Sequence, residues 1–190
     1  TMKNIISSIA VIATAVCVLA ISSCEKDKMV MQMETFNINY PAVYVVNGQD
    51  ATISVIKLST NEITATIPLM GTGADMIMWP HHISAYQNNL AIGVPMMDLS
   101  VGHSGLNPTG MTGKLVVVDA TNGSIIKNIN LPKMNHNTIY SPNGLEIWVP
   151  QMDKINSKTL VYDASTNALK NTINTGKMSA ELTFSSDGTK

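Results

Sequence analysis

The chain of 190 residues contains no arginine: all twelve of its basic residues are lysines. Charged residues make up 13% of the sequence, about half the usual share of roughly 25%, and the formal net charge is −1. Proteins that bind nucleic acids need a basic face, and they usually contact phosphate and guanine through forked arginine side chains. The composition therefore excludes a nucleic-acid partner.

Cysteine is also scarce, and both cysteines lie near the N-terminus, at Cys17 and Cys24. A short basic start at residues 2–4 is followed by an apolar run from Ile5 to Ile21 and then by two serines, which is the pattern of a secretory signal. The sequence Ile21-Ser22-Ser23-Cys24 resembles the lipobox of bacterial lipoproteins. That resemblance implies cleavage of residues 1–23 and lipidation of Cys24. The alternatives are an ordinary cleavable signal and a transmembrane anchor, for which the run is marginally short.

If Cys24 carries lipid, the mature chain has no thiol, which excludes disulfides, cysteine-ligated zinc and a cysteine nucleophile. We expect an envelope protein on the periplasmic or cell-surface side, attached to the membrane by its lipid. Residues 24–40 then comprise the lipidated cysteine, a polar tether and a candidate first strand at Thr35–Tyr40, where apolar and polar residues alternate.

The rest of the chain repeats itself. One unit is a β-branched strand, a Ser/Thr/Asn turn and a second alternating strand, which is typical of a hairpin. A second unit, strand, tight turn and strand, precedes the hairpin. The hairpin occurs at 54–67, 116–129 and 160–173, and the preceding unit occurs at 82–95, at 136–150 and, in part, at 180–188.

The spacing of these units predicts a fold. Asp119 and Asp163 are 44 residues apart, whereas Lys57 and Asp119 are 62 apart, and the excess of 18 equals the segment Met96–Gly113, which we interpret as an insertion. Four antiparallel strands in 40 to 50 residues are typical of a β-propeller blade, which buries its faces only against its neighbours. We therefore predict an all-β propeller with about three and a half blades here, out of the four to eight that close a ring.

Two motifs carry a family resemblance. Tyr44-Val45-Val46-Asn47 with the following strand, and the Ser141-Pro142-Asn143-Gly144 turn, resemble the YVTN-type β-propeller repeat. This family is similar to surface-layer, lactonase and haem d1 nitrite-reductase propellers. The resemblance implies an incomplete propeller over residues 41–190, of seven blades in the full protein, with the insertion at 96–113. It implies no particular activity, and we assign no catalytic residue.

In a propeller, the connection into the first strand and the loop between the second and third strands lie on one face, the top face. This topology predicts that all four histidines and several methionines share that face. His82 and His136 are equivalent, each four residues before a tyrosine, Tyr86 or Tyr140. The candidate metal or ligand residues are His81, His82, His103, His136, Met78, Met96, Met97 and Met134.

Several functions are compatible with such a face. The default is a scaffold that binds a protein, glycan or small molecule on its variable loops and needs no cofactor. Imidazole and thioether ligands suit copper, although structural histidines and gap-filling methionines explain the same residues. Haem d1 would need cations for its carboxylates, and only Lys133, Lys154 and Lys177 lie near the face.

A lactonase would use carboxylates as bases or metal ligands, and the candidates for that role are Asp75, Asp98, Asp153 and Glu181. Asp119 and Asp163 end strands before Ser/Thr turns, so we interpret them as acceptors that cap those turns. Trp79 and Trp148 are interpreted as aromatic residues that pack blades or lie at their rim.

Overall fold

The computed structural model describes residues 35–71, 73–99 and 110–188. The chain divides after Glu34 into two compact units, and the described residues belong to the second. The predicted signal, Cys24 and most of the predicted insertion, including His103, lie outside the described residues. Within the described ranges there is no helix long and apolar enough to cross a membrane.

Eleven strands and one 3-10 turn, Gly73–Asp75, form the secondary structure of these ranges. The strands are β1 (Ala42–Asn47), β2 (Thr52–Lys57), β3 (Glu62–Pro68), β4 (His82–Tyr86), β5 (Asn89–Val94), β6 (Gly113–Asp119), β7 (Ile125–Leu131), β8 (Ile139–Tyr140), β9 (Glu146–Pro150), β10 (Ser157–Asp163) and β11 (Leu169–Gly176).

The strands form three antiparallel sheets, ordered β1-β2-β3, β4-β5-β6-β7 and β8-β9-β10-β11. The prediction of an all-β chain built from antiparallel repeats is confirmed, and every predicted hairpin is present at its expected place. The sheets follow one another along the chain, and each is completed before the next begins, as the repeat pattern predicts.

Two segments with strand-like sequences do not form strands. Thr35–Tyr40 is extended, but its backbone N–H groups bond elsewhere: Phe36 donates to the Asn122 carbonyl at 3.2 Å and Ile38 to that of Thr121 at 2.8 Å. Residues 180–184 are likewise irregular. Alternation alone does not make a strand, because the backbone needs an adjacent strand edge for its hydrogen bonds, and within the described residues neither segment joins a ladder.

The three hairpins repeat one turn geometry. The fourth residue after Lys57, Asp119 or Asp163 has a positive φ, at Asn61 (58°), Gly123 (76°) and Asn167 (60°). Each of these residues donates its N–H to the carbonyl four residues earlier at 2.8 Å. Glycine and asparagine tolerate this left-handed conformation best. Each hairpin also has a register shift at the equivalent point, beside Val55, Val117 or Val161.

The two predicted caps are present. Asp119 Oδ1 accepts bonds from the Thr121 N–H and hydroxyl at 2.7 and 2.6 Å. Asp163 Oδ1 accepts from the N–H and hydroxyl groups of both Ser165 and Thr166 at 2.7 to 3.0 Å. These bonds favour the ionised carboxylates and lower the pKa of both aspartates.

The central strands of the middle sheet, β5 and β6, are buried on both faces. Successive side chains of a strand point to opposite faces, so β5 and β6 contribute to two different cores. Toward the first sheet lie Leu90, Ile92, Val116 and Val118, with Ile53, Val55 and Ile67; toward the third sheet lie Ala91, Leu115 and Val117, with Ile147, Val149 and Leu160. Each fully buried Ile or Leu contributes about 1.5–3 kcal/mol to stability, so burial between stacked sheets holds the fold together.

Candidate functional site

One end of the sheets gathers most of the predicted site residues, and we call it the histidine end. It comprises the β1–β2 turn, the starts of β4, β6 and β8, and the segments that lead into them. Because the strands alternate in direction, these points lie at the same end of their sheets. The chain therefore brings residues 48–49, 79–82, 93–99 and 134–137 to this end.

Two histidine rings meet there. The centroids of His81 and His136 are 4.1 Å apart, and the ring planes are tilted by 44°. His81 is exposed and lies directly before β4, where its backbone N–H donates to the Gly93 carbonyl at 2.9 Å. His136 is 9% exposed. The contact joins the middle and third sheets.

Glycines allow this approach. A Cβ on Gly93 would lie 2.8 Å from the His136 carbonyl oxygen, and one on Gly113 would lie 2.2 Å from Asn135 Oδ1. Asn135 is fully buried and donates to the Lys114 carbonyl and to Thr138 Oγ1, both at 3.3 Å. Any larger side chain at either glycine would push segment 135–138 away from the middle sheet.

Glu181 completes the cluster from the C-terminal segment. Its carboxylate contacts His136 Nδ1 with one oxygen and accepts a hydrogen bond from Asn137 Nδ2 with the other. Asn137 Nδ2 also donates to the Leu182 carbonyl at 3.1 Å. Glu181, predicted only as one of four scattered carboxylates, thus contacts a histidine in this structure.

Beside the histidine pair lies a recess of about 430 Å³. It combines an indole, an imidazole, a carboxylate and a carboxamide with apolar walls, and its lining residues are Gly48, Gln49, Trp79, Pro80, His81, Met97, Asp98 and Leu99. Trp79 has a φ of 56°. This conformation costs a bulky residue about 1–3 kcal/mol, and such strain is concentrated at ligand sites.

The other predicted residues are distributed more widely. His82 lies in β4 opposite Gly93, and its buried Nδ1 has no hydrogen-bond partner within the described residues. Met134 is fully buried in an apolar cluster with Leu99 and Met152, against which Met97 packs. Met96 packs instead against the core between the first and middle sheets, and Met78 is 40% exposed. The methionines are thus divided among different environments.

Two of the charged candidates, Lys133 and Asp153, pair with each other. Lys133, expected as a clamp for haem carboxylates, pairs with Asp153 at 2.9 Å. Asp153 also accepts backbone N–H bonds from Ile155 and Asn156, and these bonds with the Lys133 contact lower its pKa to about 2. Across the ranges that the structure describes, no group of three or more His, Cys, Asp or Glu side chains is arranged to hold a metal ion.

Sequence reasoning missed Gln49, Gly93 and Gly113. A glycine within or at the start of a strand signals close approach of another backbone, so Gly93 and Gly113 were detectable in principle. Gln49 lies in a β-turn and carries no comparable signal. Its place in the recess depends on the packing of the first sheet against the middle one.

Comparison with known proteins gives the fold only. No family model matches the chain, and no curated protein matches it. Among solved structures, the hydrazine synthase of Kuenenia stuttgartiensis is similar, with a TM-score of 0.62 at 14% identity over 82% of this chain and 39% of that chain. A eukaryotic initiation factor matches with a TM-score of 0.45 at 15% identity, over 78% of this chain and 35% of that chain. The chain thus spans well under half the length of either structure.

Proposed function

We propose that this chain forms part of a β-propeller scaffold of the YVTN type, tethered to an envelope membrane through lipidated Cys24, which binds a glycan at the histidine end. The propeller is supported by three sheets that stack face to face, by the repeated turn geometry, and by the likeness to hydrazine synthase, which has a β-propeller.

The recess beside His81 carries the glycan proposal. Its volume of about 430 Å³ is that of a small-ligand site. An indole offers a flat apolar surface to the C–H face of a sugar, while Asp98, Gln49 and His81 supply acceptors and donors for hydroxyl groups. The absence of arginine disfavours phosphorylated ligands, since no bidentate clamp is available for them.

The two tryptophans of the chain allow a direct test. In Trp148→Phe, Trp79 is the sole indole, so the fluorescence of the full-length protein reports on the recess during titration with neutral cello-, chito-, malto- and xylo-oligosaccharides. We expect one class to change the emission saturably. Trp79→Phe, which retains Trp148, should show no change, and Trp79→Ala should weaken binding at least tenfold in calorimetry.

Saturable binding that survives Trp79→Ala would place the glycan site elsewhere. No binding by any oligosaccharide, to a protein whose circular dichroism shows folded sheets, would refute the glycan proposal and leave the scaffold without an assigned ligand.

The contact between His81 and His136 favours a second candidate, a soft-metal site. Two imidazoles can bind Cu(I), to which thioethers also bind well. We expect the full-length chain to compete with a colorimetric chelator for Cu(I). The double variant His81→Asn/His136→Asn should bind Cu(I) more weakly. His82→Asn is the matched control. Equal affinity in all three proteins would refute the metal site.

A further inference from the structure

A second pocket, of about 320 Å³, shares no lining residue with the recess beside His81; it is lined by the β10–β11 hairpin together with Pro132, Lys133, Gln151 and Asn156. We call it the seam pocket. Lys158, Leu160 and Tyr162 alternate along β10, so they share one face of that strand. Leu169 and Thr172 of β11 pair with Tyr162 and Leu160, respectively, and extend the same wall.

The walls of the seam pocket are mostly apolar. Leu160 and Tyr162 are 4% and 7% exposed, while Leu169 is 52% exposed. The buried Gln151 beside them already donates its Nε2 to the Lys133 carbonyl at 2.9 Å. The pocket therefore presents hydrocarbon and aromatic surface to its contents, a lining that favours an apolar group.

The two lysines that line the pocket differ in whether their charge is paired. Lys133 is neutralised by Asp153, at 2.9 Å. Lys158 is exposed, and its ammonium group makes no hydrogen bond or ion pair within the described residues. One uncompensated ammonium group thus lies beside an apolar wall, which is complementary to a molecule with an anionic head and an apolar chain.

We propose that the seam pocket binds a medium-chain carboxylate, with the carboxylate at Lys158 and the chain along Leu160 toward Tyr162. The four-residue separation of Lys158 and Tyr162 corresponds to about 13 Å along a strand, which is roughly the extended length of an eight- to ten-carbon chain. Each buried methylene should strengthen binding by about fourfold.

The test uses the full-length protein and decanoate carrying a diazirine near its tail. After irradiation, peptide mass spectrometry should find label within residues 157–172. Unmodified decanoate should prevent labelling, while decyltrimethylammonium should not. Lys158→Met, which retains the aliphatic stem but not the charge, should weaken decanoate binding at least fivefold. Lys127→Met makes the same charge change on β7 and should not weaken it.

Thr172→Trp provides an independent variant, because this exposed position on β11 can fill the pocket with little effect on folding. It should abolish labelling of residues 157–172 with an unchanged unfolding midpoint. Label confined to the apolar run at residues 5–21, or equal decanoate affinity for Lys158→Met and the wild type, would overturn the proposal.

Discussion

The ring of His136 contacts the ring of His81, not that of His82, although His82 is its equivalent in the repeat. Equivalent residues of the repeat lie at the same place in successive sheets. They are therefore separated by the distance from one sheet to the next and are not required to be in contact. The contact arises because His81 lies one residue before β4 and bonds to Gly93, against which the His136 backbone packs. Gly93 therefore determines the geometry of the histidine end.

Gly93→Ala tests this role. The added methyl group would lie 2.8 Å from the His136 carbonyl oxygen, and overpacking of this kind costs about 1–3 kcal/mol. We expect a lower urea midpoint and a changed His136 side-chain signal in NMR. Gly176→Ala is the control for added volume alone, since its Cβ would meet no atom within 4 Å, although its φ of 105° adds backbone strain. An unchanged His136 signal in Gly93→Ala would contradict this explanation.

The parts of the fold that were predictable from sequence are local. Hairpins follow from alternation and from Ser/Thr/Asn turns, and the caps at Asp119 and Asp163 follow from the short reach of a carboxylate to nearby N–H groups. The contact between His81 and His136 depends on how closely two sheets approach, which no local pattern specifies. Residues 35–40 and 180–184 do not form strands for a related reason. Their alternation is strand-like, but their backbone hydrogen bonds depend on neighbours that are distant in sequence.

Lys57 breaks the pattern of capped turns and offers a stabilising substitution. Ser59-Thr60-Asn61 repeats Ser165-Thr166-Asn167, and both turns share the same positive φ. An aspartate at 57 should therefore accept the bonds that Asp163 accepts.

Lys57→Asp removes the approach of Lys57 Nζ to the Tyr40 ring, at 5.1 Å from its centroid, an exposed contact worth about 0.5 kcal/mol. The new cap bonds should exceed this loss and give a net gain of about 1 kcal/mol in unfolding free energy. Lys57→Ala, which loses the ring contact and adds no cap, should be slightly destabilised. If both variants lose stability equally in urea, the cap does not form.

The carboxylates that cap turns should make the stability of the fold depend on pH in the acidic range. The pKa values of Asp119 and Asp163 are lowered by hydrogen bonds, and that of Asp153 is lowered to about 2. A carboxyl whose folded pKa lies below its unfolded value, about 3.9, stabilises the fold above that value and loses the effect as pH falls through the folded pKa.

Urea midpoints should therefore be level from about pH 7 to 5 and fall from about pH 5 to 2. Asp163→Asn keeps one acceptor oxygen but cannot ionise, so its midpoints should fall less steeply over this interval. A wild-type midpoint that stays constant down to pH 3 would show that these caps contribute no net stability.

The tether is tested by the two cysteines of the chain, which differ in their predicted fate. Cys24→Ser should abolish incorporation of alkyne-palmitate in a bacterial host, because serine offers no thiol for acylation, and it should reduce recovery in the membrane pellet. Cys17→Ser, within the predicted signal, should remain labelled and membrane-bound. Two acyl chains hold a protein far more firmly than one, so loss of the lipid should be evident on fractionation. An unlabelled wild-type protein that keeps residues 1–23 and stays in the membrane would instead indicate a transmembrane anchor.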